Sequence, residues 1–314
     1  MKIGEIANRF IMPFPNWEKY ELFRLTLYVF LLLNTISLLP IASEIFGYDG
    51  LVGTRGWRSN IPWYYQGSYG ILNVLSHPWN LAYTWIYKVF LGGQIIFLIL
   101  GILNVFPKIS SVFIYFFTAN LFLKGYLAFT GGEVLVNILL FYMMFIHQSN
   151  RPNIRFIDRS KSEVAPVFND WQNLLNNTFY VIIIIQIFVL YFFSTFYKLL
   201  DIDWISGNAL MYISQIESFS NGMMKRIFKD SYVLSAVATY TTLAYQILFP
   251  IIVWVKKVKI PFLILGVILH VSIAIGMGIF TFGCIMIITY ILFIDNARIH
   301  RFKNRFKRNV KSVI

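Results

Sequence analysis

The sequence predicts an all-α protein, a polytopic membrane bundle of about eight transmembrane helices with both termini cytoplasmic, and three observations predict it. Charged residues make up 13% of the 314 residues, about half the roughly 25% of an ordinary soluble domain. The shortfall falls in windows of about 20 residues, the length that crosses the hydrocarbon of a bilayer. The remaining Lys and Arg gather between those windows and at the C-terminus, which is how a membrane protein fixes its orientation. A net charge of +13 would otherwise suit nucleic acid, but this distribution excludes a nucleic-acid partner. Cys284 is the only cysteine, so no internal disulfide and no cysteine metal cluster is expected.

Residues 1–295 read as one transmembrane domain and 296–314 as a basic cytoplasmic tail. The start, 1–21, places Ile3, Ile6, Phe10 and Ile11 near helical spacing, with Lys2, Glu5 and Arg9 elsewhere. That pattern predicts an interfacial helix; Glu5, Glu18, Pro13 and Pro15 leave no apolar core for a cleaved signal peptide. Spans are expected at 22–42, 83–105, 110–128, 132–147, 178–198, 233–255, 260–278 and 280–295. The last two are separated only near Phe280, Thr281 and Phe282; one long bent helix there would reduce the total to seven.

With the N-terminus inside, the inner segments carry Lys2, Arg9, Lys19, Lys108, Arg151, Arg155, Arg159, Lys161, Lys256, Lys257 and Lys259. The tail adds Arg298, Arg301, Lys303, Arg305, Lys307, Arg308 and Lys311. The outer loops, 43–82 and 199–232, hold Arg55, Arg58, Lys225, Arg226 and Lys229. The bias is consistent at every turn with eight spans. Loop 43–82, with Trp57, Trp63, Tyr64, Tyr65, Tyr69 and Trp79, suits a layer at headgroup level. The tail is expected to touch anionic membrane lipid, at about 1 kcal/mol per charge near the surface.

Charge at the centre of a span costs roughly 2.5–3.5 kcal/mol on insertion scales, so ionisable residues there are the candidates for function. Lys88, Lys124, Glu133 and Lys198 fall in the outer half or at the outer edge of their spans, and His270 near mid-depth. Gln94, Asn120, Asn137, Gln186 and Gln246 also lie within spans, and Arg24 reads as an inner-face anchor. Lys88 is expected to snorkel outward; Lys124 either does the same or pairs with Glu133. Lys198 and Glu133 come to one depth, with His270 a turn or two below. A lysine, a carboxylate and an imidazole in a dry pocket are suited to proton transfer, although a structural ion pair leaves the same signature. Lys198, His270 and Glu133 are therefore the candidate catalytic residues, and Tyr191, Trp204 and Lys124 the candidate substrate contacts. No phosphate loop, zinc-protease helix or nucleophile elbow occurs, and no cofactor is indicated. The sequon Asn176-Asn177-Thr178 falls on the inner side and reads as chance.

Several stretches carry a resemblance. Tyr191-Phe-Phe-Ser-Thr-Phe-Tyr-Lys198, Leu-Leu-Asp-Ile-Asp-Trp204 and Ile-Ser-Gly207-Asn-Ala209 resemble the core signature of the HTTM, or vitamin K-dependent carboxylase-like, membrane domain. Phe23-Arg24, Gly131-Gly132-Glu133, and Leu269-His270 with Gly276-Met277-Gly278-Ile279-Phe280 fit in order, so the resemblance covers most of the chain. Within that superfamily, Met1-Lys2-Ile3 through Pro15-Asn16-Trp17 look most like the bacterial SdpB family. The resemblance implies a multi-pass protein of the bacterial cytoplasmic (inner) membrane that takes part in making or maturing a secreted antimicrobial peptide. Its implied partners are a secreted peptide precursor and other products of the same operon.

There are departures. The vitamin K carboxylases carry two adjacent lysines before the Asp-x-Asp-Trp segment, the second being the base; here Lys198 matches the first and Leu199 replaces the second. The histidine of their fourth span is missing from 132–146, a basic tail stands in place of their large C-terminal domain, and Gln246 occupies a position where bacterial relatives commonly carry Glu. Glutamate carboxylation is therefore not expected. Three readings are distinguishable: peptide-toxin maturation at the outer face, a membrane enzyme using a lipid or quinone cofactor, and a transporter or immunity protein. No broken helices recur in matching halves, which disfavours transport by inverted repeats.

Overall fold

The computed structural model describes residues 10–46, 50, 82–124, 130–148, 169–228 and 231–301, without the side chains of 82–86, 123 and 124. Most of the interfacial start, the aromatic stretch of loop 43–82, the basic residues between 149 and 168, the side chain of Lys124 and the tail beyond Arg301 lie outside the described residues.

All regular structure among the described residues is helical. In chain order the α-helices are α1 (Trp17–Leu38), α2 (Ala42–Phe46), α3 (Ala82–Ile102), α4 (Pro107–Lys124), α5 (Gly131–Met143), α6 (Asp170–Leu199), α7 (Ile202–Ile205), α8 (Ala209–Gln215), α9 (Gly222–Phe228), α10 (Tyr232–Ile252), α11 (Lys259–Gly276) and α12 (Phe280–Thr289). A short 3₁₀ turn continues α12 through Tyr290–Phe293. Each expected span overlaps a helix among the described residues. Four are long and apolar enough to cross a membrane: Trp17–Phe46, Asp170–Leu199, Tyr232–Ile252 and Lys259–Gly276. Shorter apolar helices cover Tyr87–Ile102, Gly131–Met143 and Phe280–Phe293. The last pair is two helices, not one bent one; the second ends with its 3₁₀ turn at Phe293, two residues short of the expected 295, and residues 296–301 are helical again. Several helices of this length and composition mark a membrane protein. At about 1.5 Å per residue the 30 residues of α6 span about 45 Å, more than the roughly 30 Å of hydrocarbon. Its first turns are polar, with Asn173, Asn176 and Asn177.

The chain forms two compact units, one of Met1–Pro13 and Arg24–Phe179, the other of Phe14–Phe23 and Tyr180–Ile314. In the first, Gln94 Nε2 donates to Thr118 Oγ1 at 3.0 Å, joining α3 to α4 in a buried position. Phe97 and Phe113 stack at 4.5 Å across the same pair. Arg24, read as an interfacial anchor, is 0% exposed. Its Nη1 donates to the Gly101 carbonyl at 2.6 Å and its guanidinium lies 5.4 Å from the Tyr28 ring centroid. A planar, delocalised cation tolerates such burial better than an ammonium, because it stacks on a ring and keeps several donors in fixed directions. At the start of α6, Asn176 is fully buried and its Oδ1 accepts from His147 N at 2.6 Å, so its amide is structural and inaccessible as a glycan acceptor. Asn177 Nδ2 donates to the carbonyls of Phe10 and Met12.

In the second unit the expected outer loop 199–232 contains the short helices α7, α8 and α9. α7 and α8 are fastened to the first half of α10, whereas Asn221, just before α9, donates to the Ile275 and Gly276 carbonyls at the end of α11. Ser235 Oγ donates to the Gly207 carbonyl at 2.9 Å and accepts from Met211 N at 3.0 Å. Tyr232 and Tyr240 donate to the Ser206 and Ile205 carbonyls. Gly207 has φ of 80°, and a Cβ there would meet Ala236 Cβ at 2.9 Å, so glycine is required on both counts. At the opposite end of this unit Lys259 Nζ meets Asp295 Oδ1 at 2.8 Å, and Asn296 Nδ2 donates to the Pro15 carbonyl. His300 Nε2 lies 2.9 Å from Glu18 Oε2.

Candidate functional site

Lys198 closes the last turn of α6. Its Nζ donates to Ser194 Oγ, one turn back, at 2.6 Å and to Gln246 Oε1 of α10 at 3.2 Å. The same Gln246 oxygen lies 3.4 Å from Thr195 Oγ1 and 3.5 Å from Ser194 Oγ. The Trp204 ring centroid lies 4.9 Å from the ammonium, held there because α7 is tied to α10 and capped by Asp201, whose Oδ1 accepts from Asp203 N at 2.8 Å. Within this unit no described carboxylate forms an ion pair with Lys198; its partners are two neutral oxygens and a ring face.

Two helical turns before Lys198, and so on the same face of α6, Tyr191 is 1% exposed. Its hydroxyl lies 3.1 Å from His270 Nε2 on α11 and 2.8 Å from the Tyr290 hydroxyl. Tyr245, the neighbour of Gln246 on α10, donates to the Tyr290 hydroxyl at 2.9 Å. Phe249 packs on Tyr191 at 4.3 Å between centroids. Gly266 makes this arrangement fit: a Cβ there would lie 2.5 Å from the Tyr290 hydroxyl and closer still to that of Tyr245. His270 is 4% exposed, and its Nδ1 is buried with no hydrogen-bond partner among the described residues.

Lys198, His270, Tyr191 and Trp204, four of the residues singled out in the sequence, thus belong to one continuous set in one unit. Glu133 belongs to the other unit and is occupied locally. Its Oε2 accepts from Thr130 N at 2.7 Å and from Thr130 Oγ1 at 2.8 Å, while Thr130 Oγ1 accepts from Gly132 N, the reciprocal arrangement of a capping box at the start of α5. Sequence reasoning did not select Ser194, Gln246, Tyr245 or Tyr290. Ser194 carries a legible signal at four residues before Lys198, and Gln246 one as a polar side chain in an apolar helix; the tyrosines look like ordinary core aromatics. Among the described residues no group of three or more His, Cys, Asp or Glu side chains is placed to hold a metal ion.

The fold and site define a helical membrane protein with a lysine–amide cluster above a tyrosine–histidine network. Comparisons with known proteins add one likeness. The chain is 27% identical over 219 residues to YitO of Bacillus subtilis, described as an uncharacterized protein; the match covers 64% of this chain and 65% of YitO, less than two thirds of its length. No family model matches the chain, and no solved structure matches it.

Proposed function

We propose that the chain is an eight-span protein of the bacterial cytoplasmic membrane, with both termini in the cytoplasm, that takes part in producing or maturing a secreted antimicrobial peptide at the outer face. The observation that carries this reading is the convergence of Tyr191, Lys198 and Trp204, from the stretch that resembles the HTTM signature, on Gln246 and His270. Topology enters through length and charge. From Asn177 to Lys198 is about 31 Å along α6, which puts Lys198 at the outer boundary when the polar first turns of that helix are inside. His270, eleven residues into α11, then sits near mid-depth. With this orientation the basic residues Lys108, Lys256, Lys257, Lys259, Arg298 and Arg301 would all be inner, which agrees with the positive-inside rule.

In this reading Lys198 and Trp204, both partly exposed, meet the peptide at the membrane surface, and the buried His270 imidazole lies behind them. Membrane lipids and a peptide precursor, with other products of the same operon, are the proposed partners. Leu199, 45% exposed beside Lys198, gives no second amine, so the activity is not glutamate carboxylation. Mass spectrometry of peptides secreted with and without the gene tests the reading: a mature peptide lost on deletion is expected, and an unchanged secreted peptide profile contradicts it. A second reading, a membrane enzyme using a lipid or quinone cofactor, draws support from the buried imidazole near an amine. It predicts that a lipid-soluble product, and no peptide, changes when Lys198 or His270 is replaced by Ala in normally inserted protein.

A further inference from the structure

A hydroxyl inside an apolar helix commonly returns its hydrogen to a carbonyl one turn back. In the second unit Thr242, Ser272 and Thr289 do so, at 2.9, 2.9 and 2.6 Å. Ser194 does not. Its oxygen lies 2.6 Å from Lys198 Nζ, and Gln246 Oε1, the acceptor on the facing helix, is at 3.5 Å. The short contact works in both senses: a charged lysine donates to the hydroxyl, and a neutral one accepts its hydrogen. Nothing in the cluster fixes the charged form with a counter-charge. The other oxygen on the amine, Gln246 Oε1 at 3.2 Å, is neutral, and Trp204 covers the nitrogen with a ring face. Lys198, Thr195 and Ser194 converge on Gln246 Oε1. That convergence identifies the oxygen end of the amide and leaves its Nε2 as a donor with no partner among the described residues. Ser194, Lys198 and Gln246 are all partly exposed.

We propose that Ser194 and Lys198 are a nucleophile–base dyad that cleaves a peptide bond at the outer end of an apolar, membrane-embedded segment of the precursor. The peptide class rests on the function proposed above; the reactivity of Ser194 does not. Ser194 Oγ bonds to the peptide carbonyl carbon as its proton passes to the neutral Lys198 amine. Gln246 Nε2 is the donor at hand for the carbonyl oxygen as charge builds on it. The Lys198 ammonium then gives the proton to the leaving nitrogen as the C–N bond breaks, and an acyl ester remains on Ser194. Water splits the ester, returning a hydrogen to Ser194 Oγ and releasing a carboxylic acid. Depth selects the bond. Four residues of helix put Ser194 about 6 Å deeper than Lys198, just inside the outer boundary in the proposed topology. Phe193 and Tyr197, both exposed beside Ser194 on α6, suit an apolar flank.

The experiment treats the full chain in detergent with dodecyl fluorophosphonate and follows the intact mass and the labelled peptide. Ser194 Oγ forms the P–O bond, fluoride leaves, and the serine proton goes to Lys198. One adduct at Ser194 is expected in the wild type and none in Ser194→Ala. In Lys198→Ala, with its unfolding midpoint retained, labelling should be about a hundredfold slower. Gln246→Glu sets a carboxylate against the amine, holds it charged, and should slow labelling at least tenfold at neutral pH. A wild-type chain unlabelled at Ser194, or wild-type rates in Lys198→Ala or Gln246→Glu, overturns the dyad. Secreted-peptide yield at matched membrane levels separates the two proposals. At least a tenfold loss in Ser194→Ala is expected. Loss on deletion of the gene with full yield from Ser194→Ala overturns the dyad and spares the proposed function. Labelling of Ser194 with a peptide profile indifferent to deletion defeats the proposed function, and with it the peptide substrate.

Discussion

Arg24 and Lys198 are both cations on largely apolar helices, and they are held in different ways. Arg24 is sealed inside the first unit, with a main-chain carbonyl and the Tyr28 ring as partners. Lys198 is half-buried at a helix end in the second unit, among side-chain oxygens and the Trp204 ring. A guanidinium bonded to backbone ties helices together and is replaceable only at a cost to folding. An amine at an edge, held by neutral side chains with no ion pair to a described carboxylate of its unit, is free of a fixed counter-charge and can meet whatever enters. Burial of a charge thus reports function only where the partners are not themselves the frame of the fold.

The largest expected effect follows from Arg24. Arg24→Ala removes a charge-assisted bond and leaves a cavity, and should destabilise the protein by about 3 kcal/mol or more; thermal unfolding in detergent reads this directly. An Arg24→Ala protein as stable as Lys198→Ala would erase the contrast. Next is Gly266→Ala, whose added methyl meets the Tyr245 and Tyr290 hydroxyls. Overpacking of this kind costs about 1–3 kcal/mol. Gly92→Ala is the matched control: it meets nothing within 4 Å, and should be neutral or stabilising by up to about 1 kcal/mol. Unfolding midpoints of the two variants in one detergent compare them.

Lys198→Ala should change stability by no more than about 1 kcal/mol, because its partners Ser194 and Gln246 can bond each other. The smallest effect concerns Asp295, which lies between the 3₁₀ turn Tyr290–Phe293 and the helical residues 296–301. Its bond to Lys259 holds the carboxyl below its ordinary value of 3.8, against a lesser opposing push from burial. A carboxylate with a depressed pKa contributes stability that is present above about pH 4 and lost as pH falls through the folded value. With the Asp295 side chain 42% exposed, screening limits this to about 0.5 kcal/mol. Asp295→Asn should flatten the acid limb of the stability profile by that amount, and an unchanged limb removes the pair from the account.

The four helices long and apolar enough to cross a membrane were legible because hydrocarbon-length windows without charge have few other uses, and Pro107 and Gly131 mark the starts of α4 and α5. Lys198 and His270 were legible as costly groups at depth. Glu133 carried two signals, a charge near a span and a Thr130-Gly-Gly-Glu133 cap, and the structure uses the cap. Arg24 read as an anchor because its place at a span end is the same whether the side chain turns outward or in. The tyrosine network was not legible. Tyr191, Tyr245 and Tyr290 come from three helices, and no local spacing encodes which hydroxyls meet; Gly266 hints at a close approach without saying to what. The short helices after Asp201 were hidden in the same way, since their bonds to Ser235 and Tyr240 form only after α10 has packed.

The most direct test replaces Lys198 by Ala, matches the membrane level of the variant to wild type, and quantifies the secreted mature peptide by mass spectrometry. At least a tenfold loss, with the unfolding midpoint retained, is what a functional Lys198 centre predicts. Wild-type yield from the Lys198→Ala protein would contradict it and leave the lysine as a packing group at a helix end.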